Sequence, residues 1–266
     1  MKGLQRIRLG QHYAIASPVH RLDARSKILC VLALLVGAFI TRSAAGVLVL
    51  IFFALLAIYL AKLPPRQVLA GLRSVFVLLI ITALAQLFFS PGRELWEWGP
   101  LSITNTGVEN GVVFSLRLAL AVILLVLLTM TTGAVELLAG IEYLLKPLGR
   151  LGFPVRETAM VLVTAFRFLP VMLGRAGEIA RAQEARGADF SSGNPWRRAR
   201  SLLPLFIPLF NGCFRDADEL GAAMAARAYR GGAGRTSLRA GRPGAADAVA
   251  LLAVGAVLAI AFMVPA

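Results

Sequence analysis

Side chains suited to soft metals and proton shuttling are nearly missing: 266 residues hold two cysteines and two histidines. Cys30 and Cys213 lie far apart in apolar stretches. That placement fits free, buried thiols rather than a disulfide framework or a metal site, and no metal or other cofactor is expected. His12 and His20 both precede the first apolar run. An enzyme working within a bilayer needs paired carboxylates, histidines or a metal cluster facing each other at membrane depth, and the apolar runs hold no acidic pair. There is also no Gly-x-x-x-x-Gly-Lys-Ser/Thr loop, because none of Lys2, Lys27, Lys62 and Lys146 follows a glycine in that pattern. A phosphate cradle of that kind, and ATP hydrolysis with it, is therefore not expected of this chain. No internal repeat of broken spans is visible, which argues against a self-contained secondary transporter or channel. The basic N-terminus is followed by an apolar run only near Ile28, with no small-residue cleavage site after it. The first span itself is then expected to direct insertion.

What is abundant is apolar surface and positive charge. The chain is 58% hydrophobic, with mean hydropathy +0.75. That is more than a soluble domain of this size carries, and it fits an all-α polytopic membrane protein with about five transmembrane helices. The expected spans are Ile28–Ile40, lengthened by Arg25 and Lys27 snorkelling from the first turn, then Ala44–Ala61, Leu69–Phe89, Val112–Thr131 and Ala248–Val264. Residues 91–110 read as a loop in which Glu94, Glu97, Glu109, Trp96 and Trp98 suit the outer interface. The net charge of +14 comes from 28 Lys and Arg against 14 Asp and Glu. In a membrane protein such an excess points to cytosolic loops facing anionic lipid and an acidic partner rather than to nucleic acid. With the N-terminus inside, 25 of the 28 cations fall on the cytosolic side, Arg42 and Arg93 fall outside, and Arg117 lies within the fourth span. That asymmetry predicts a cytosolic N-terminus and, after five spans, an external C-terminus. Arg117 is expected to snorkel outward or to meet Glu109 or another loop carboxylate.

Three regions follow: residues 1–132 as a four-span membrane domain, 133–244 as a cytosolic or interfacial domain, and 245–266 as the final span. Within the middle region, Gly133–Gly149 is amphipathic, with Leu137, Leu138, Ile141, Leu144, Leu145 and Leu148 at helical spacing. A long helix from Val155 to Arg186 is expected, interrupted at Pro170. After a Ser191–Pro195 turn and the basic Arg197, Arg198 and Arg200, the proline-broken run Leu202–Leu209 is expected to be buried or interfacial, and Phe210–Arg230 to form another helix. Two small-Arg-small triplets, Ala185-Arg186-Gly187 and Ala226-Arg227-Ala228, end the two helices, with Gly187 and Gly231-Gly232 as the stops. A cation in a last turn is favoured by the helix dipole alone. Two such triplets on successive helices, flanked by small residues that admit a flat partner surface, suggest a docking device. Residues 231–244 read as a basic linker.

The chain resembles the transmembrane T component (EcfT/CbiQ family) of energy-coupling factor, or ECF, transporters, a branch of the ATP-binding-cassette importers. The resemblance rests on His20-Arg21-Leu22-Asp23-Ala24-Arg25, Tyr143-Leu144-Leu145-Lys146-Pro147-Leu148, Gly152-Phe153-Pro154-Val155, Phe166-Arg167-Phe168-Leu169-Pro170 and Ala182–Phe190. It implies that the middle region is a bundle of coupling helices and that Ala185, Arg186, Gly187, Ala226, Arg227 and Ala228 dock two cytosolic ATPase subunits. The second triplet departs from the family pattern in ending in Ala228. A separate membrane-embedded substrate-capturing S component is implied as well, seated on an apolar surface that includes Leu144, Leu145, Leu148, Phe166, Leu202, Leu205, Phe206 and Leu209. The implied role is non-catalytic: transmission of ATP-driven motion for vitamin or metal-ion uptake in the cell membrane. Length and motif spacing favour a module shared among S components, with a dedicated cobalt, nickel or biotin system as the alternative.

Overall fold

The computed structural model describes residues 17–41, 43–89, 94–98, 101–188, 190, 194, 196, 200–229, 231 and 244–264, with the backbone alone at 89, 94–98, 101–103 and 150. His12, residues 191–193 and 195 of the expected turn, Arg197, Arg198, Arg230, Gly232 and most of the basic linker lie outside the described residues, as do the side chains of Glu94, Trp96, Glu97 and Trp98. The described chain is almost wholly helical, as the composition demands. It divides into two compact units, one holding α1 to α5 and α8, the other α6 and α7.

In the first unit, α1 (Ala24–Ile40) starts where the Asp23 carboxylate accepts the Arg25 backbone N–H at 3.1 Å. α2 (Ala44–Leu60) is apolar throughout, and α3 (Pro65–Phe89) opens on a proline at its first position, where no N–H is needed. A short antiparallel hairpin follows, β1 (Glu94–Trp98) with β2 (Leu101–Thr104), pairing Trp98 with Leu101. The hairpin replaces part of the expected loop, since alternating aromatic and β-branched residues favour strand pairing. α4 (Asn105–Thr131) begins earlier than Val112 because Thr104 Oγ1 accepts the Gly107 N–H at 3.0 Å and caps it there. α5 (Ala134–Leu145) ends where the second unit begins, in a 3-10 turn (Lys146–Leu151) where Pro147 lacks the donor an α-helix requires. α8 (Ala245–Met263) ends the described chain.

Side chains of α1, α2, α4 and α8 share one core, which includes Leu34, Leu50, Ala54, Leu120, Leu124 and Val254. Close helix approach is built into it: a Cβ on Gly46 would lie 2.7 Å from the Ala261 carbonyl oxygen, so only a bare glycine admits α8 so near α2. By length and composition α3, α4, α6 and α8 can each cross a bilayer, and α2 is a shorter apolar helix of 17 residues. The protein is thus an all-α polytopic membrane protein. α6, assigned from sequence to the cytosolic region, is itself long and apolar enough to span.

Two cations expected to reach for water or acid are instead absorbed by the packing of α1 against α4. Lys27 does not snorkel. It is 5% exposed, and its Nζ donates to the carbonyls of Thr131 at 2.9 Å and His20 at 3.2 Å. Thr131 is the last residue of α4, so the ammonium satisfies an orphan carbonyl at the negative end of that helix. At the opposite end, Arg117 Nη2 of α4 donates to the carbonyl of Thr41, the C-cap of α1, at 2.6 Å rather than meeting Glu109. Each helix supplies the cation that caps the other. The start of α1 is tied further to α8, where Asp247 Oδ1 accepts the Asp23 N–H at 2.9 Å and Oδ2 accepts the Gly244 N–H at 2.8 Å.

The second unit contains α6 (Val155–Ala185) and α7 (Leu203–Ala226). Pro170 does not interrupt α6, and α7 runs continuously through Pro204 and Pro208. Pro204 falls in the first turn, where it sacrifices no hydrogen bond. The Leu202–Leu209 run is therefore mostly helix, and no residue of α7 is buried.

Candidate docking site

Both arginine triplets end their helices in the same way. Arg186 is the C-cap of α6 at φ −88°, ψ 9°, and Arg227 the C-cap of α7 at φ −89°, ψ 14°. The next residue turns left-handed in each case, Gly187 at φ 87° and Ala228 at φ 56°. The backbone bonds also match: Gly187 N–H to Glu184 and Ala188 N–H to Gln183 on α6, Ala228 N–H to Ala225 and Tyr229 N–H to Met224 on α7. These are paired Schellman stops, which satisfy the last carbonyls and leave the arginine on the outside of the final turn. Ala228, not Gly231-Gly232, closes α7. All six triplet residues are exposed, and neither guanidinium has an ion-pair partner among the described residues.

An alanine at φ 56° carries a steric cost that glycine avoids, set against the greater chain entropy glycine loses on folding. Ala228→Gly is expected to steady the α7 terminus by about 0.5–1 kcal/mol. Amide exchange at Ala228 and Tyr229 should slow about two- to fivefold, with no change elsewhere in α6.

The helices that carry these ends cross. At the crossing Arg175 Nη1 donates to Asp216 Oδ2 at 2.6 Å, and the Cys213 thiol lies 3.1 Å from the Met172 thioether sulfur. A groove of about 510 Å³ opens beside it, lined by the first half of α6, including Met160, Thr164 and Phe168, and the second half of α7, including Leu220 and Met224. Pairing of an early α6 segment with a late α7 segment means that the two helices run antiparallel. Arg186 and Arg227 consequently sit at opposite ends of the pair.

Sequence reading missed Arg175 and Asp216. The signal was an offset: Met172 to Cys213 and Arg175 to Asp216 are both 41 residues. Ala182, Ala185 and Arg186 recur as Ala223, Ala226 and Arg227 at the same offset, and Glu178 as Glu219. This short echo of one helix in another is invisible to a search for repeated spans. Of the other singled-out residues, Phe166 and Phe206 are exposed on α6 and α7, Leu205 and Leu209 are half-buried on α7, and Leu202 precedes it. Leu145 and Leu148 are exposed at and after the end of α5, and half-buried Leu144 belongs to the other unit. Leu205, Phe206 and Leu209 lie together on α7, where the Phe206 and Phe210 rings are 6.3 Å apart.

Fold and site together define a polytopic helical membrane component with an exposed, arginine-tipped helix pair. Residues 16–238 match the family CbiQ, described as cobalt transport protein. The chain is 44% identical over 243 residues to the energy-coupling factor transporter transmembrane protein EcfT of Acidaminococcus fermentans, covering 91% of each chain. It is 40% identical over 252 residues to that of Thermosediminibacter oceani, 95% of each. With the protein of the same name from Listeria innocua, identity is 35% over 260 residues, 97% of this chain and 98% of the relative. The chain belongs to this EcfT/CbiQ family, the transmembrane components of energy-coupling factor transporters.

Proposed function

We propose that this chain is the coupling subunit of an ECF-type importer in the cell membrane. In this reading Arg186 and Arg227 each dock one of two cytosolic ATPase subunits, and the chain passes their motion to a membrane-embedded S component that captures a vitamin or a metal ion. The observation that carries the reading is the equivalence of the two helix ends: the same C-cap arginine, the same left-handed stop and the same exposure, placed at opposite ends of one antiparallel pair. Two equivalent anchors facing apart fit two like partners. The chain itself neither hydrolyses ATP nor selects the substrate. The apolar side chains of Phe166, Leu205, Phe206 and Leu209, with Leu144, Leu145, Leu148 and Leu202, form part of the S-component seat, and the module serves several S components.

Co-purification from detergent with the ATPase pair and S components of the same cell tests the assembly. ATP-driven uptake in proteoliposomes that needs all subunits supports the reading, whereas uptake by this chain alone overturns it. Recovery of several different S components on one tagged chain supports a shared module, and recovery of one alone supports a dedicated system. The orientation follows the charge asymmetry, with the N-terminus cytosolic and the C-terminus outside. A cysteine placed after Val264 should react with an impermeant maleimide added to intact cells, and labelling only after lysis would reverse that assignment.

A further inference from the structure

In an antiparallel pair the partner's residue number falls as one's own rises, yet Met172 meets Cys213 and Arg175 meets Asp216, both numbers rising together. Such contacts occur only where they straddle the crossing point, about a local two-fold that carries residue i of α6 onto residue i+41 of α7. The docking arginines obey the same relation. Arg186 follows Arg175 by 11 residues, and Arg227 follows Asp216 by 11. At about 1.5 Å rise per residue each arginine stands about 16 Å along its own helix from the ion pair. At the centre of a true two-fold identical residues would meet, and like charges would repel. Here the equivalent positions hold a cation and an anion, so the contact at the axis is attractive. No residue of α7 is buried, and a groove opens between the helices beside the crossing. Gly212 supplies close approach, since a Cβ there would stand 3.0 Å from Arg175 Nη1.

We propose that Arg175 and Asp216 are the positioning pair that sets the spacing of the two docking arginines, holding both ends equidistant from one axis. The proposal rests on the docking role given to Arg186 and Arg227, and concerns what makes simultaneous engagement of two ATPases possible. Simultaneous attachment multiplies affinity by about 10²–10⁴ only when the geometry lets both sites engage together. Losing the axis contact therefore weakens capture of the ATPase pair without touching either arginine.

Two readouts keep the spacing role and the docking role separate. The first is the spin-label distance between Glu184→Cys and Ala225→Cys, exposed positions related by the same offset, on the full chain in nanodiscs with Cys30→Ser and Cys213→Ala. The second is retention of the ATPase pair by the unlabelled chain. Asp216→Ala is expected to broaden or shift the distance distribution and to lower retention at least tenfold. The swap Arg175→Asp with Asp216→Arg, which rebuilds the pair in reverse, is expected to restore both. An unchanged distance distribution in Asp216→Ala, or a swap that restores nothing, overturns the proposal. If the wild-type chain retains no ATPase the docking reading fails, and the distances alone still decide whether the pair sets the spacing.

Discussion

Arg186→Glu combined with Arg227→Glu is expected to strip both ATPase subunits from the complex and abolish ATP-driven uptake, while the chain still folds and inserts. The guanidiniums are exposed and unpaired among the described residues, so their replacement costs the folded chain only the favourable helix-dipole term, about 0.3–1 kcal/mol at each end. Most of the effect falls on the partner. A charge-assisted hydrogen bond contributes about 1.5–3 kcal/mol, and stranding a buried charge by removing its partner costs about 3–5 kcal/mol. Each single reversal should thus weaken retention about ten- to several thousandfold, and the pair should leave none measurable. Arg→Lys at either position keeps the charge but loses the planar fork, and should fall between wild type and the reversal. Because the two helix ends share one backbone geometry, the single variants should be similar in size. Titration of ATPase against immobilised chain measures each step. Full retention by the double variant would remove the docking role.

Much of this arrangement was readable in the sequence because it is local. A long apolar run declares a helix, and a small-Arg-small triplet at a helix stop declares an exposed cation. Element ends were read less well where capping decided them: the Thr104 side chain starts α4 well before the Val112–Thr131 span, and the left-handed backbone at Ala228 stops α7 before Gly231. A composition rule also misjudged the prolines of α6 and α7, since a proline removes one hydrogen bond but does not end a helix that tertiary contacts hold. What sequence could not show was pairing between distant elements. Arg175 with Asp216, Lys27 with the Thr131 carbonyl and Arg117 with the Thr41 carbonyl each join residues whose meeting depends on how helices pack. Snorkelling was the natural expectation for Lys27, and burial against the end of α4 is the physical alternative, because a helix terminus in an apolar region needs a donor as much as a lysine needs an acceptor.

That reciprocity leads to the second large effect. Lys27→Met is expected to destabilise the membrane unit by about 1–3 kcal/mol, since the thioether fills the space but leaves the buried Thr131 carbonyl without the ammonium. Arg117→Leu should cost less, even though its bond to Thr41 is the shorter, at 2.6 Å against 2.9 Å. Arg117 Nε is a buried donor with no partner among the described residues, so removing the guanidinium also removes an existing penalty. The two sites lie at opposite ends of α1, whose 17 residues span about 25 Å, so the double variant should be close to additive. Thermal unfolding of the purified chain in detergent, followed by circular dichroism, measures the series. An Arg117→Leu loss larger than that of Lys27→Met would show that the Arg117 contact with the Phe114 ring, 5.1 Å from its centroid, outweighs the orphan Nε, and that the C-terminal end of α1 rather than its N-terminal end holds the unit together.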